Sequence, residues 1–442
     1  MTPGARLQAA IEIIDEINTT NAPADNLISA YFKKRRYAGS KDRRAIAERI
    51  YGTLRKHARL AWWIKRTGST ATITARLRII ADLALSDKLH TSDIADLFSG
   101  SRHCPPTLDD NEAALANAVA GRPLTHQTDM PDYVRHEYPQ WLERSLKETF
   151  GDALGAEMSA LNQPAPMDLR VNTAKTSVQQ VLGKLAQEHI EASPCPWSPL
   201  ALRVSGNVKM GGVAAYKNGL VEIQDEGSQL LALMCDARPG MTVVDFCAGA
   251  GGKTLALAAS MTEQGALHGT LTACDIFSSR LSRIKPRLER AGAGDIVQKV
   301  LVSEDDPWVG ENKYTADRVL LDVPCSATGI WRRTPLAKWQ LEPTDLEDLI
   351  LTQRRILASA STLVKPGGRL IYATCSILTE ENENQINWFL DQTAEFQVLE
   401  GKDIWQQSIG SLHPPTSGPY IRLTPASTQT DGFFCAVLER RL

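Results

Sequence analysis

The sequence predicts an α/β fold built on a doubly wound parallel sheet, preceded by an all-α domain and a small α+β connector. Three observations carry this. From about residue 220 strand-like and helix-like segments alternate. Over residues 5 to 120 apolar residues recur every three or four positions instead. Between the two regimes, RPLTHQTDMP (122–131) loses the periodicity and carries two prolines. The expected domains are 1–130, 131–219 and 220–442.

The helical region comprises RLQAAIEIIDEI, RRAIAERIYGTLRKHARLAWWI, RLRIIADLALSDKL and EAALANAVAG. The connector mixes a helix near YVRHEYPQWLERSLKETF with the short strands MDLRVN and LALRVS. In the last domain the strands are TVVDFCA, TLTACD, IVQKVLVS, DRVLLDV and GRLIYATC, with helices after Gly252, Ser278, Asp345 and Glu380. YIRLTP and GFFCAVLER follow with no helix expected between them, which suits a C-terminal antiparallel hairpin.

Composition narrows the class. The 442 residues are 43% hydrophobic and 23% charged, an ordinary globular balance that excludes a disordered chain. No apolar run approaches the roughly 18 residues of a membrane span, and Glu12, Asp15 and Glu16 stand where a signal peptide would be apolar. The expectation is a cytoplasmic protein with no membrane partner. Its eight cysteines form no CxxC pair and no zinc-type spacing, so no metal is expected and the thiols should be reduced.

Net charge is only −2, but its distribution is uneven. Residues 31 to 66 hold thirteen Lys and Arg against two acids, a local +11 interleaved with Tyr31, Phe32, Tyr37, Tyr51, Trp62 and Trp63. That pattern suits a nucleic-acid backbone, with Lys33, Lys34, Arg35, Arg36, Arg43 and Arg44 as candidate phosphate contacts. A solvated helix face is the alternative.

The first strand of the last domain runs into Asp245-Phe-Cys-Ala-Gly-Ala-Gly-Gly-Lys-Thr254, a glycine-rich turn that opens a helix. Glycines admit a ligand close to the backbone, and the helix start offers unpaired amides. A Walker A loop would need Gly at Cys247, which disfavours an ATPase. The second strand ends at Asp275, where a carboxylate can accept both hydroxyls of a ribose, in NAD or S-adenosylmethionine alike. Either acid could instead cap its own turn.

The sharpest signal is a pair of cysteines. DRVLLDV delivers Asp322-Val-Pro-Cys325-Ser-Ala-Thr-Gly, and GRLIYATC delivers Thr374-Cys375-Ser376. If these are the fourth and fifth strands of a doubly wound sheet, both thiols reach the carboxyl edge where such folds bind ligands.

The segments DFCAGAGGKT, DVPCSATGIWRRTP, YATCSILTEEN and DGFFCAVLE resemble the motifs of the Sun (RsmB) family of bacterial ribosomal RNA cytosine methyltransferases, related to the eukaryotic Nop/Sun enzymes. The likeness spans residues 220 to 442. KDRRAIAERIYGTLR and PAPMDLRVN resemble the family's NusB-like RNA-binding domain and its connector. The resemblance implies S-adenosylmethionine bound by Cys247, Ala248, Gly249, Ala250, Gly251, Gly252 and Lys253, by Asp275, by an acid after the third strand, and near Asp322. Asp305 best matches that acid, with Asp306 a rival. The family usually has Ala-Ala-Pro-Gly where this chain has Ala248-Gly249-Ala250-Gly251, so the loop is less preset.

The implied chemistry explains the cysteines. Carbon 5 of cytosine accepts a methyl group only after a thiolate adds to carbon 6. By resemblance to the RNA enzymes Cys375 is that nucleophile, Cys325 assists release and Asp322 bonds the cytosine edge. DNA enzymes use the Pro-Cys cysteine and follow it with Gln, whereas here Ser326 follows. Lys253 is expected to order Asp322 and the cysteines, and the loop Trp331 to Trp339 to offer cations and indoles to a splayed RNA base. The expected partner is RNA, ribosomal RNA with tRNA as the alternative, and the expected state a monomer. A non-catalytic ribosome assembly factor, or a DNA or small-molecule methyltransferase, are the competing readings.

Overall fold

The computed structural model describes residues 1–20, 23–68, 72–125, 127–294, 296–410, 413–416 and 418–442. Two compact units emerge. The first comprises residues 1–147, 154–163 and 333–340, and the second 148–153, 164–332 and 341–442. Residues 131–147, expected in the connector, thus fold with the helical unit. The helix-rich stretch to residue 161 has apolar faces to bury and few strands to offer a sheet.

The helical unit follows the periodicity. Thr2 caps the Pro3–Thr19 helix by accepting from the Ala5 N–H, with proline in the first turn, and Thr74 caps Ala75–Leu85. Ile13, Ile14, Ile46, Ile50, Ile79 and Ile80 are fully buried in its core. Tyr31, Phe32 and Trp63 join that core and Trp62 packs against it, so four of the six aromatics in the basic segment are structural.

The second unit holds two larger sheets. Strands β1 (Met167–Val171), β2 (Ala192–Pro194), β3 (Ala201–Val204) and β4 (Val221–Ile223) form an antiparallel sheet in the order β2-β3-β1-β4. Strand β4 carries this small sheet past residue 219, the expected end of the connector. Its covering helix, Val178–Gln187, buries Val181 and Leu185 and opens with a Ser177–Gln180 capping box.

The large sheet contains β5 (Thr242–Asp245), β8 (Thr270–Asp275), β9 (Val297–Val300), β10 (Ala316–Asp322), β11 (Val364–Thr374), β12 (Phe396–Val398) and β14 (Phe433–Arg440), with β13 (Ile421–Leu423) paired to β14. The two-residue strands β6 (Thr262–Glu263) and β7 (Ala266–Leu267) form a separate ribbon. Spatial order is β12-β14-β11-β10-β5-β8-β9. The five strands from β9 to β11 are parallel, and β14 runs antiparallel between β11 and β12. The order reverses between β5 and β10, so a crevice opens at their carboxyl ends.

All five expected strands of the parallel core are present. The tail is more than a hairpin. β13 and β14 do pair antiparallel, but the helical turn Pro425–Thr428 lies between them, and β14 is an interior strand. Phe434, Ala436 and Leu438 are buried to 0%, which explains why the chain's end is so apolar. No helix among the described residues is long and apolar enough to cross a membrane.

Candidate active site

The glycine-rich turn leaves β5 at Asp245 and enters the Gly252–Ser260 helix through Gly251, at φ +79°. A Cβ at Gly251 would lie 2.8 Å from Ile284, so glycine is needed for both space and backbone. The Ala248 N–H donates to the Cys274 carbonyl (2.8 Å) and the Gly249 N–H to Asp275 Oδ2 (2.9 Å), tying the turn to β8. Asp275 also accepts from the Phe277 N–H (2.7 Å). Each carboxylate oxygen keeps a second lone pair for a ligand.

These residues line a cavity of about 520 Å³. Its wall includes Asp245, Cys247, Ala248, Gly249, Ala250, Gly252, Lys253, Asp275 and Asp322 among the expected residues, while Gly251 packs behind it. Asp245 is buried and accepts from Thr254 Oγ1 (2.6 Å), yet its Oδ1 has no protein partner. Burial, reinforced by the neighbouring Asp322 and Asp275 charges, pushes its carboxyl up to about 7. A buried, unpaired oxygen at the wall of a cavity rimmed by backbone amides suits a polar cationic ligand.

Beside the cavity, β10 and β11 pair with Asp322 opposite Ala373. Cys325 and Cys375 therefore leave the sheet side by side, and their Sγ atoms are 3.4 Å apart. The hydrogen bond to Cys375, with burial, pushes the Cys325 thiol well up, so Cys325 stays protonated at neutral pH. Lys253 is 8% exposed and donates to Asp322 Oδ2 at 2.7 Å. Burial works to lower its pKa, but the charge of Asp322 and the hydrogen bond to it outweigh that and hold the ammonium charged.

A buried polar network fixes the two cysteine turns. Glu381, with 0% exposure, accepts from the Ser326 N–H (2.8 Å), from Ser326 Oγ and from Gln353 Nε2 (2.9 Å). Thr328 Oγ1 lies 3.0 Å from Ser376 Oγ and accepts from the Ile377 N–H. Asn382 accepts from Thr374 Oγ1 (2.6 Å) and donates to the Ser376 carbonyl (3.0 Å). Sequence reasoning missed Glu381 and Asn382. Their signal was the charged run Thr379-Glu-Glu-Asn382, separated by four residues from a buried strand, where solvation would have been the default expectation.

Profile comparison matches residues 232–439 to the 16S rRNA methyltransferase RsmB/F family, and residues 138–211 to the RsmF/B-like ferredoxin-like domain. Ribosomal RNA small subunit methyltransferase B of Yersinia enterocolitica is 30% identical over 415 residues, 91% of each chain. The chain belongs to the RsmB/F family of 16S rRNA methyltransferases. Its relative from Erwinia tasmaniensis, of the same name, is 29% identical over 98% of each chain. The crystal structure titled PH0851 superposes with TM-score 0.76 at 28% identity, covering 100% of this chain and 99% of that one. As a member of the family this protein is an rRNA methyltransferase with a class I methyltransferase sheet.

Three expectations need correction against the geometry of this RsmB/F protein. Asp305 is exposed and lies outside the cavity wall; Glu304 reaches it instead, because Asp306 turns inward to accept from Val302 and Trp308 and cap the Pro307–Glu311 helix. The Trp331 to Trp339 loop does not offer its cations and indoles freely. Trp331 is buried, Arg332 pairs with Asp225 and Asp431, and Trp339 stacks on His57 at 5.0 Å. Several cations of the basic segment are likewise engaged. Arg35 pairs with Glu12, Arg49 with Asp82 and Asp87, Lys56 with Asp82, and Arg59 with Glu137, while Arg43 donates to the Ala38 carbonyl. Lys33, Lys34, Arg36, Lys41 and Arg44 stay exposed around Tyr37, itself 71% exposed.

Proposed function

We propose that this protein forms 5-methylcytosine in small-subunit ribosomal RNA, with S-adenosylmethionine as methyl donor and Cys375 as the attacking nucleophile. The observation that supports this most is the Cys325–Cys375 pair, 3.4 Å apart at the ends of adjacent strands beside the cavity. When bound, S-adenosylmethionine supplies an electrophilic methyl group on sulfur. Asp275, the turn from Cys247 to Lys253, Asp245 and Glu304 are the groups that would hold it.

The chain's residues would divide the work as follows. Cys375 adds as thiolate to carbon 6 of cytosine, moving the ring's electron pair to carbon 5, which takes the methyl group. Asp322, held by Lys253, bonds the cytosine edge and favours that electron flow. After transfer the carbon 5 proton leaves to a base, the carbon 5–carbon 6 double bond reforms, and the thiolate of Cys375 is expelled. Cys325, with its sulfur 3.4 Å from that of Cys375, is placed to assist this release. The RNA-type assignment of the two cysteines rests on the motif resemblance, in which Ser326 rather than Gln follows Cys325. The exposed cations around Tyr37 give the helical unit an RNA-binding role, and the protein is proposed to act as a cytoplasmic monomer.

Incubating the purified protein with S-adenosylmethionine and unmodified small-subunit rRNA, followed by bisulfite sequencing, tests the reading. Protected cytosine appearing only when both are present is the expected result. Methyl transfer to another base or another atom of cytosine would overturn it. Bisulfite sequencing of total RNA from a deletion strain and its complemented parent then identifies the RNA and the cytosine.

A further inference from the structure

The cofactor turn is made of flexible residues. Gly249 sits at φ +55° and Gly251 at +79°, and no proline stiffens the segment from Ala248 to Gly251. Strand β8 anchors only its first half, through Ala248 and Gly249. The second half is gripped from the opposite side. Arg287, on the Ile284–Ala291 helix, donates through Nη1 to the Ala250 carbonyl, and its Nη2 donates to Glu222 Oε2 at 3.1 Å. Arg290 bonds the other oxygen of the same carboxylate. Arg170 donates to the Gly252 carbonyl at 2.6 Å. Glu222 and Arg170 belong to β4 and β1, so the small sheet reaches the cofactor turn directly.

The helix bearing Arg287 is itself locked to the small sheet's surroundings. Asn172 donates to the Gly219 and Ala291 carbonyls (3.0 and 2.9 Å), and Lys175 to the Arg290 carbonyl (2.7 Å). Gly219 has no room for a Cβ, which would fall 1.8 Å from the Arg290 carbonyl oxygen. Glu222 is 6% exposed, and its two arginine partners satisfy both oxygens. Such a carboxylate holds a guanidinium in one orientation, and the Arg287 fork matches that geometry.

We infer that Arg287, oriented by Glu222, is a positioning residue that presets the cofactor turn through the Ala250 carbonyl, in place of a stiffer backbone. The inference rests on the reading of the cavity as an S-adenosylmethionine site. Arg287 also lines that cavity, so direct contact with the amino-acid end of the cofactor is the rival role. The two roles differ in what they do to a ligand without that end. A preset turn matters to the whole cofactor, because Gly249 on the same turn orients Asp275 for the ribose.

Calorimetry on the full chain with S-adenosylmethionine and with 5′-methylthioadenosine, which lacks the amino-acid carboxylate and ammonium, separates them. Arg287→Ala and Glu222→Gln are each expected to weaken both ligands by a similar factor, about tenfold, the loss of one charge-assisted hydrogen bond. Arg287→Lys should recover part of that loss; Glu222→Gln should also lower the melting temperature, because it removes the buried charge that faces Arg287 and Arg290, so its affinity is read well below that transition. Unchanged affinity in both variants overturns the inference. So does a loss confined to S-adenosylmethionine, which would assign Arg287 to direct contact. A parent that binds neither ligand would instead overturn the cofactor reading, and the clamp with it.

Discussion

The sulfur of Cys325 lies 3.4 Å from that of Cys375, although the residues are 50 positions apart in the chain. Their approach follows from sheet register. Asp322 faces Ala373 across two parallel strands, so Cys325 lies three residues beyond one partner and Cys375 two beyond the other, on the same edge. Glu381, bonded to Ser326, and Thr328, close to Ser376, then hold the two turns together. A nucleophile and a release-assisting thiol in contact should fail in different ways when removed.

Cys375→Ala should neither methylate RNA nor cross-link to it, because no adduct at carbon 6 can form. Cys325→Ala should accumulate a protein–RNA species that survives denaturing electrophoresis and is absent from the double variant. Labelled RNA on one denaturing gel reads both. If the phenotypes swap, the nucleophile is Cys325, and if both variants keep activity the cysteines are packing residues.

Asp275→Ala should weaken S-adenosylmethionine binding at least tenfold, the equivalent of about 1.5 to 3 kcal/mol for hydrogen bonds to a charged group. The substitution also frees the Gly249 and Phe277 amides, so part of the loss is in the turn. Calorimetry measures it, and parental affinity would remove Asp275 from the site.

Replacing Lys33, Lys34, Arg36, Lys41 and Arg44 with Ala should weaken RNA binding and lower the salt-dependence slope by roughly 0.7 to 0.9 per lost contact. Cofactor affinity should not change. Arg49→Ala and Lys56→Ala should behave differently, lowering the melting temperature because they strip partners from the buried Asp82. A salt titration of RNA binding that shows no change in slope would return the exposed cluster to a solvated face.

Asp245 makes the unliganded protein sensitive to pH. Its folded pKa is raised from the ordinary carboxyl range to about 7, so the folded state binds the proton more tightly than the unfolded chain. Its contribution to stability is fully present below about pH 4 and is lost as pH rises through about 7. Asp245→Asn, which cannot ionise, should show a flatter fall in melting temperature across that window. Parallel curves for parent and variant would show that Asp245 ionises freely in the fold.

Much of this was legible in the chain because it depends on local chemistry. The alternation of apolar strands and helices announced the parallel core, Asp245 to Thr254 announced a ligand turn, and two Cys-Ser turns after buried strands announced a reactive edge. Periodicity and turn composition are short-range signals, and each survives without knowledge of the rest of the molecule. What tertiary structure decided was the allocation of polar groups. The basic segment contains thirteen cations, but which remain exposed depends on where Glu12, Asp82 and Glu137 are brought. Trp331 and Arg332 read as RNA contacts until Asp225 and Asp431 converge on the arginine. Asp305 and Asp306 are adjacent acids in the sequence, and only a helix start at Pro307 makes one of them a cap and leaves Glu304 at the cavity. A charge costs free energy to bury unless a partner arrives from elsewhere in the chain, and that partner is set by the packing of distant elements rather than by neighbouring residues.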